Sequence, residues 1–163
     1  MARARGTGPP GTKLIAANRR ARRDYEILET VEAGLVLRGS EVKSLRDAQV
    51  QLGDAYARIE GGEAWLVSMH VAPYDHAQEH TGHDAERPRK LLLHRGEIDR
   101  LAAIVAEKRL ALVPLSLYFR DGRAKVELAL ARGRKTYDKR RLLAERDAER
   151  EAARAIARAG REE

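Results

Sequence analysis

Two dipeptides constrain the fold of this chain more than anything else in it. Gly61-Gly62 lies between "AYARIE" and "EAWLVSMHV", and Asp121-Gly122 lies between "LALVPLSLYFR" and "RAKVELALA". A two-residue turn joining antiparallel strands needs positive φ, which Gly adopts freely and Asp at small cost. Apolar, strand-forming runs flank each dipeptide, so each predicts a hairpin, the first closed by Pro73. Alternation over "YEILETVEAGLVL" predicts a further long strand from Tyr25 to Leu37, bent at Gly34. "GSEVKSLRDAQ" reads as a helix with Ser40 as its N-cap and Glu41 in the first turn. "RKLLLH" is an apolar segment leading into "GEIDRLAAIVAEKR", an amphipathic helix with Ile98, Leu101, Ile104 and Val105 on one side. Short antiparallel strands, two tight hairpins and a helix inserted between them predict a mainly β fold with helices. The architecture that fits is a small OB-fold-like β-barrel.

At 163 residues there is room for one domain with a core and an appendage. Residues 1–12, "MARARGTGPPGT", are small, basic and rich in Gly and Pro, and are expected to stay disordered. The body is expected over 13–131; it opens with the short apolar stretch "KLIAAN" and one basic helical turn in "RRARRDY". From 132 to 163 runs a basic C-terminal tail whose only large apolar residues past Arg141 are Leu142, Leu143 and Ile156. Arg146, Arg150, Arg154 and Arg158 recur every four residues, and like charges at that spacing repel on a free helix. The tail is therefore expected to be flexible alone and to become helical when a polyanion neutralises the stripe. A solvated helix without a partner fits the same pattern.

Charge is distributed to match. Residues 1–23 carry seven basic and no acidic side chains, and 132–163 carry a net charge of +4. The stretch between them is net −4, so the overall +7 lies at the two ends. Each Lys or Arg that neutralises a phosphate releases a condensed counterion, which makes a polyanionic partner one reading. Two solvated tails are the other, and charge alone does not choose.

The chain has no cysteine, which removes disulfides and cysteine-ligated zinc and suits a reducing cytoplasm. No apolar run reaches the length of a membrane span, and no apolar segment follows the basic N-terminus as in a secretory signal. A soluble cytoplasmic protein with no membrane partner is expected, monomeric when free. His76, His80 and His83 share one loop with Glu79 and Asp84, and the first two have metal-ligand spacing. Pro73, Gly82 and Pro88 around them favour an exposed polar loop over a metal site. There is no G-x-S-x-G elbow and no phosphate-binding P-loop. No catalysis, metal or cofactor is expected.

RNA suits the residues better. Contacts to unpaired RNA need Arg and Lys for phosphates and aromatic faces for bases. Arg19, Arg20, Arg22 and Arg23 stand beside Tyr25, Arg87, Arg89 and Lys90 follow, and "ARGRKTYDKRR" surrounds Tyr137. Aromatic residues make up only 4% of the chain, so one placed outside any core segment points to stacking.

The blocks "NRRARRDYEILETVEAGLVLRGSEVKSLR", "MHVAPYD", "RPRKLLLHRGEIDRL" and "LVPLSLYFRDGRAKVELALARGRKTYDKR" resemble, in order, those of the bacterial SsrA-binding protein family, also called small protein B. The resemblance covers about Lys13 to Arg150. It implies an OB-fold barrel that binds the tRNA-like part of transfer-messenger RNA and carries it to stalled ribosomes for trans-translation, without catalysing a reaction. Ribosome contacts, small-subunit ribosomal RNA included, would come through the tail in the decoding region and messenger channel.

By the same resemblance Asn18, Arg19, Arg20 and Arg22 form the first RNA-facing segment. Glu32 matches an acidic residue used in binding the RNA, either as an acceptor for base or 2′-hydroxyl donors or to orient a neighbouring Arg. Leu92 matches another binding residue, expected to pack beneath the contact. Lys43, Arg89, Lys90, Lys125, Gly133, Arg134 and Lys135 complete the expected RNA contacts. Tyr137, Asp138, Lys139 and Arg140 match the ribosome-engaging tail motif, which Arg146 and Arg150 would extend. The pattern departs from the family at Arg23, where many members have His, and at Pro88, where the loop lacks a proline after Asp84.

Overall fold

The computed structural model describes residues 10–73, 84–134 and 136–160, without the side chains of 136–139 and 142. In chain order the elements are β1 (Thr12–Ala17), α1 (Ala21–Asp24), β2 (Tyr25–Leu35), α2 (Gly39–Arg46), β3 (Val50–Gln51), β4 (Tyr56–Glu60), β5 (Glu63–Val67), β6 (His70–Val71), β7 (Arg89–Leu92), α3 (Arg95–Lys108), β8 (Ala111–Arg120), β9 (Arg123–Gly133) and α4 (Thr136–Ala159). The main sheet runs β1-β8-β4-β5-β7-β2-β9, and a further β8–β9 pairing closes it into a barrel. Every pairing within it is antiparallel. This is a small, mainly β, OB-fold-like barrel with helices, α3 being inserted between β7 and β8.

Both predicted hairpins are present. Gly61 and Gly62 have φ of 60° and 75°, and Asp121 and Gly122 have 51° and 77°. The pairs closing these turns are Glu60–Glu63 and Arg120–Arg123, like charges facing one another. Cross-strand repulsion of that kind is relieved by counter-ions. Arg58 and Lys90 supply them to the glutamates, and Glu32 to Arg120.

The core is lined by Leu66, Met69, Val71, Leu91, Leu117, Val126 and Leu128, with Leu101 of α3 packed into it. A smaller apolar cluster of Ala21, Val113, Leu115, Ala129 and Ala131 lies apart, and seats α1 on the sheet through Ala21.

Several local expectations need correction. The cap of α2 is Arg38, not Ser40; the Glu41 carboxylate reaches back to accept the Arg38 N–H at 2.8 Å. The strand after Gly61-Gly62 stops at Val67, because Ser68 turns into the left-handed region at φ 60°. His70 and Val71 then pair with β3 in a separate two-stranded sheet. The irregularity of β2 lies between Ile27 and Glu29, not at Gly34. Gly34 has another duty: it pairs with both Leu92 and Lys125. A Cβ added there would stand 3.1 Å from Leu92 Cβ. Gly34→Val should therefore cost about 1–3 kcal/mol by overpacking, measurable by denaturant unfolding.

Residues 136–159 form the continuous helix α4. Its described side chains are exposed, including Leu143 and, at 75%, Ile156. The tail, expected to be flexible alone, is thus helical over this range.

Candidate nucleic-acid interface

Two surfaces emerge. The first is the outer face where β2, β7, β8 and β9 meet. Side chains alternate along a strand, so Glu32 and Gly34 share one face of β2 while Ala33 and Leu35 enter the core. The register sets Lys125 opposite Gly34, Glu127 opposite Glu32 and Tyr118 opposite Lys125. Glu32 Oε2 accepts from the Tyr118 hydroxyl and from Arg120 Nε and Nη2 at 3.2 and 3.0 Å. Burial alone would push the Glu32 carboxyl up. The Tyr118 and Arg120 hydrogen bonds, with the charges of Arg120 and Lys125, hold it below its ordinary value. Burial, and then the neighbouring carboxylate, push the Tyr118 phenol well above its own. Of the two roles open to Glu32, holding an Arg is thus met within the protein.

On this face Leu92 is 54% exposed rather than packed beneath a contact. Leu91 takes the inward position of β7, and alternation sends Leu92 out over Gly34.

The second surface joins the two basic ends of the chain. Tyr25 pairs with Gly133 and Glu26 with Arg132, and the Arg134 N–H donates to the Asp24 carbonyl at 2.9 Å. The exposed Arg19, Arg20 and Arg22 are therefore held beside the strand exit that leads into α4. Arg23 is partly neutralised by Asp24 at 3.1 Å, and Arg132 lies 3.7 Å from Glu26. An open cleft of about 650 Å³ beside α1 is lined in part by Arg20, Tyr25, Tyr56 and Arg58. It offers cations and ring faces together. Tyr56, 45% exposed, escaped the sequence reading because it lies within a hairpin strand rather than a basic run.

Other expected contacts are redirected. Arg89 is fully buried. It donates to Glu41 through Nε, to the Met69 carbonyl at 2.7 Å and to the Ala85 carbonyl at 3.1 Å. A guanidinium with no exposed surface cannot neutralise a phosphate, so Arg89 is a structural residue, shared with Arg87 on the same carboxylate. Asn18 is also buried. Its Nδ2 donates to the Pro114 carbonyl at 3.0 Å and the Leu52 carbonyl at 3.3 Å, and its N–H to the Leu115 carbonyl at 2.7 Å. The β8–β9 register slips between Pro114 and Ser116, and Asn18 satisfies carbonyls at that slip.

Lys43 is exposed on α2, Lys90 is bound to Glu63 at 3.2 Å, and Lys125 is half-buried. Gly133 is exposed and Arg134 partly so. On α4, Arg140, Arg146 and Arg150 are exposed. Lys135 and the side chains of Tyr137, Asp138 and Lys139 lie outside the described residues, as do His76, His80 and His83. Among the described residues no three His, Asp or Glu gather as metal ligands.

Tyr118 and Arg120 were missed from the sequence, and Glu41 was read only as a first-turn residue of α2. Tyr118 and Arg120, two apart on one strand, could have been read as neighbours on one face. The separation of 86 positions between Glu32 and Tyr118 hid the partner.

The family model described as "SmpB protein" matches residues 15–158. An SsrA-binding protein of Desulforudis audaxviator is 59% identical over 143 residues, covering 88% of this chain and 93% of its own. Another, of Mycolicibacterium paratuberculosis, is 54% identical over 158 residues, covering 96% and 93%. A solved chain from "tmRNA-SmpB: a journey to the center of the bacterial ribosome" superposes with a TM-score of 0.63 at 50% identity. That likeness covers 77% of this chain and 86% of that one.

Proposed function

The chain belongs to the SmpB protein family, and on that premise we propose that it is an RNA-binding adaptor of trans-translation. It binds transfer-messenger RNA through its barrel and accompanies it to stalled ribosomes; it is not an enzyme. The observation that carries this is the extent of the family match, residues 15–158, which takes in both the barrel and most of α4. The described residues hold no helix long and apolar enough to cross a membrane, and work at the ribosome implies the cytoplasm.

The finer reading assigns parts to surfaces. The tRNA-like part of the RNA meets the barrel along the Arg19, Arg20 and Arg22 edge and on the Glu32, Leu92 and Lys125 face. The basic edge supports this by joining both charged ends at one place, and Leu92 by offering an apolar surface on which a base or sugar can rest. Asn18 serves by holding the β8 bulge, and Arg89 by fixing the loop before β7. The tail, with Tyr137, Asp138, Lys139, Arg140, Arg146 and Arg150, engages the decoding region and messenger channel.

Capture of the tagged protein from its own cells, followed by RNA identification, tests the function. Stoichiometric transfer-messenger RNA is expected; ribosomal RNA alone would make the chain a ribosome-associated structural protein instead. A quantitative test of the edge is the salt dependence of binding. Arg19→Ala and Arg20→Ala should each lower the slope of log K against log salt by about 1. An unchanged slope would remove these arginines from the phosphate contacts.

A further inference from the structure

Glu32 offers two carboxylate oxygens, and the fold treats them unequally. Oε2 takes all three protein donors, the Tyr118 hydroxyl and two guanidinium N–H groups of Arg120. No described residue donates to Oε1, although the Glu32 side chain keeps 35% of its surface exposed. Tyr118 is fully buried, so its hydroxyl cannot itself reach a ligand. The Arg120 guanidinium, 5.9 Å from the centre of the Tyr118 ring, turns two of its nitrogens to the same oxygen. A surface carboxylate ordinarily spends both oxygens on water and moves freely. This one is fastened by one oxygen and leaves the other uncommitted.

We propose that Tyr118 and Arg120 are positioning residues of the RNA interface. Glu32 Oε1, the oxygen they leave uncovered, accepts a hydrogen bond from an uncharged donor of the bound RNA, either a ribose 2′-hydroxyl or an exocyclic base amine. The inference rests on the adaptor reading and gives its acidic residue a chemistry. A carboxylate oxygen can only accept, so the ligand group must donate. A phosphate oxygen cannot, and its charge would be repelled at close range. Lys125, facing the same side from β9, attracts the phosphate that flanks the donor while leaving Oε1 to the sugar or base. Because the carboxylate is already held, ordering it on binding costs little, and a hydrogen bond to an ionised acceptor is among the stronger kinds. The two roles open to Glu32 are then not alternatives, since each oxygen performs one.

Analogue interference tests this directly. Transfer-messenger RNA carrying random 2′-deoxy positions, or base analogues lacking the exocyclic amine, is partitioned into bound and free fractions. The intact chain should show interference at a few nucleotides from one class of analogue, which identifies the donor as ribose or base. With Glu32→Met that interference should vanish and affinity should fall about tenfold. Identical maps for the two proteins would overturn the assignment. Tyr118→Phe keeps both carboxylate oxygens. It should weaken binding about threefold in the intact background and not at all on top of Glu32→Met. Equal losses in both backgrounds would overturn the positioning role. If Glu32→Met does not fold, the weakening of the same interference positions in Tyr118→Phe supplies the readout, and an unaltered map counts against the proposal. Failure of the intact chain to retain the RNA overturns the adaptor reading itself.

Discussion

Truncation after Arg134 leaves the affinity for transfer-messenger RNA within about threefold of the intact chain and abolishes tagging on stalled ribosomes. The barrel is complete at that point. β9 ends at Gly133, and the Arg134 N–H still reaches the Asp24 carbonyl. The described side chains of α4 are exposed, so losing them opens no cavity in the barrel. α1 keeps its seat because Ala21 is anchored in the cluster with Val113 and Ala131. What is lost is the part that extends from the barrel, with Arg140, Arg146 and Arg150 on its surface. Filter binding and a reconstituted tagging assay separate the two effects. A fall of about a hundredfold in RNA affinity would mean that the tail belongs to the docking surface.

Replacing Glu41 by Ala destabilises the barrel by about 3–5 kcal/mol, with little direct effect on RNA contacts. Its side chain is fully buried and accepts from Arg87, from Arg89 and from the Arg38 N–H. Without the carboxylate, Arg89 remains a charge in a site with no exposed surface, and α2 loses its link to the loop before β7. Burial alone would raise the Glu41 carboxyl, but the Arg38, Arg87 and Arg89 hydrogen bonds hold it below its ordinary value of 4.5. Its contribution is therefore full above the unfolded carboxyl range and fades as pH falls through the folded value. Denaturant unfolding of the intact chain and of Glu41→Gln, at neutral and acidic pH, checks the sign. The gap between the two should narrow on acidification, and a gap that widens would contradict the ion-pair account.

That network also marks the limit of what the chain discloses before it folds. "RKLLLH" announces an apolar segment, yet three consecutive leucines do not say which of them turns inward. Once Leu91 does, Arg89 two residues earlier must follow, because side chains of a strand repeat every second position. An Arg in a basic run looks like an RNA contact until its face is known. Asn18 misleads in the same way. Beside four arginines it suggests an RNA-facing loop, and only the slipped register at Pro114 shows which carbonyls its amide serves.

The hairpins were legible because their cause is local. Gly61-Gly62 and Asp121-Gly122 adopt positive φ through their own covalent structure, without help from distant residues. The α3 helix was legible because a period of 3.6 residues survives in the sequence as Ile98, Leu101 and Val105. The placing of positive charge at both ends was likewise plain from composition.

So the sequence by itself determined the turns, the main helices, the charged ends and the family. The tertiary structure alone decided that those ends meet at Tyr25 and Gly133, that Arg89 is withdrawn from solvent by Glu41, and that Glu32 is fastened by one oxygen and open at the other. The reason is physical. Turn and helix preferences act over a few residues and are written in neighbouring side chains. Which face of a strand is buried, and which partner a charge finds across 48 or 86 residues, depends on a register that exists only once the barrel has closed.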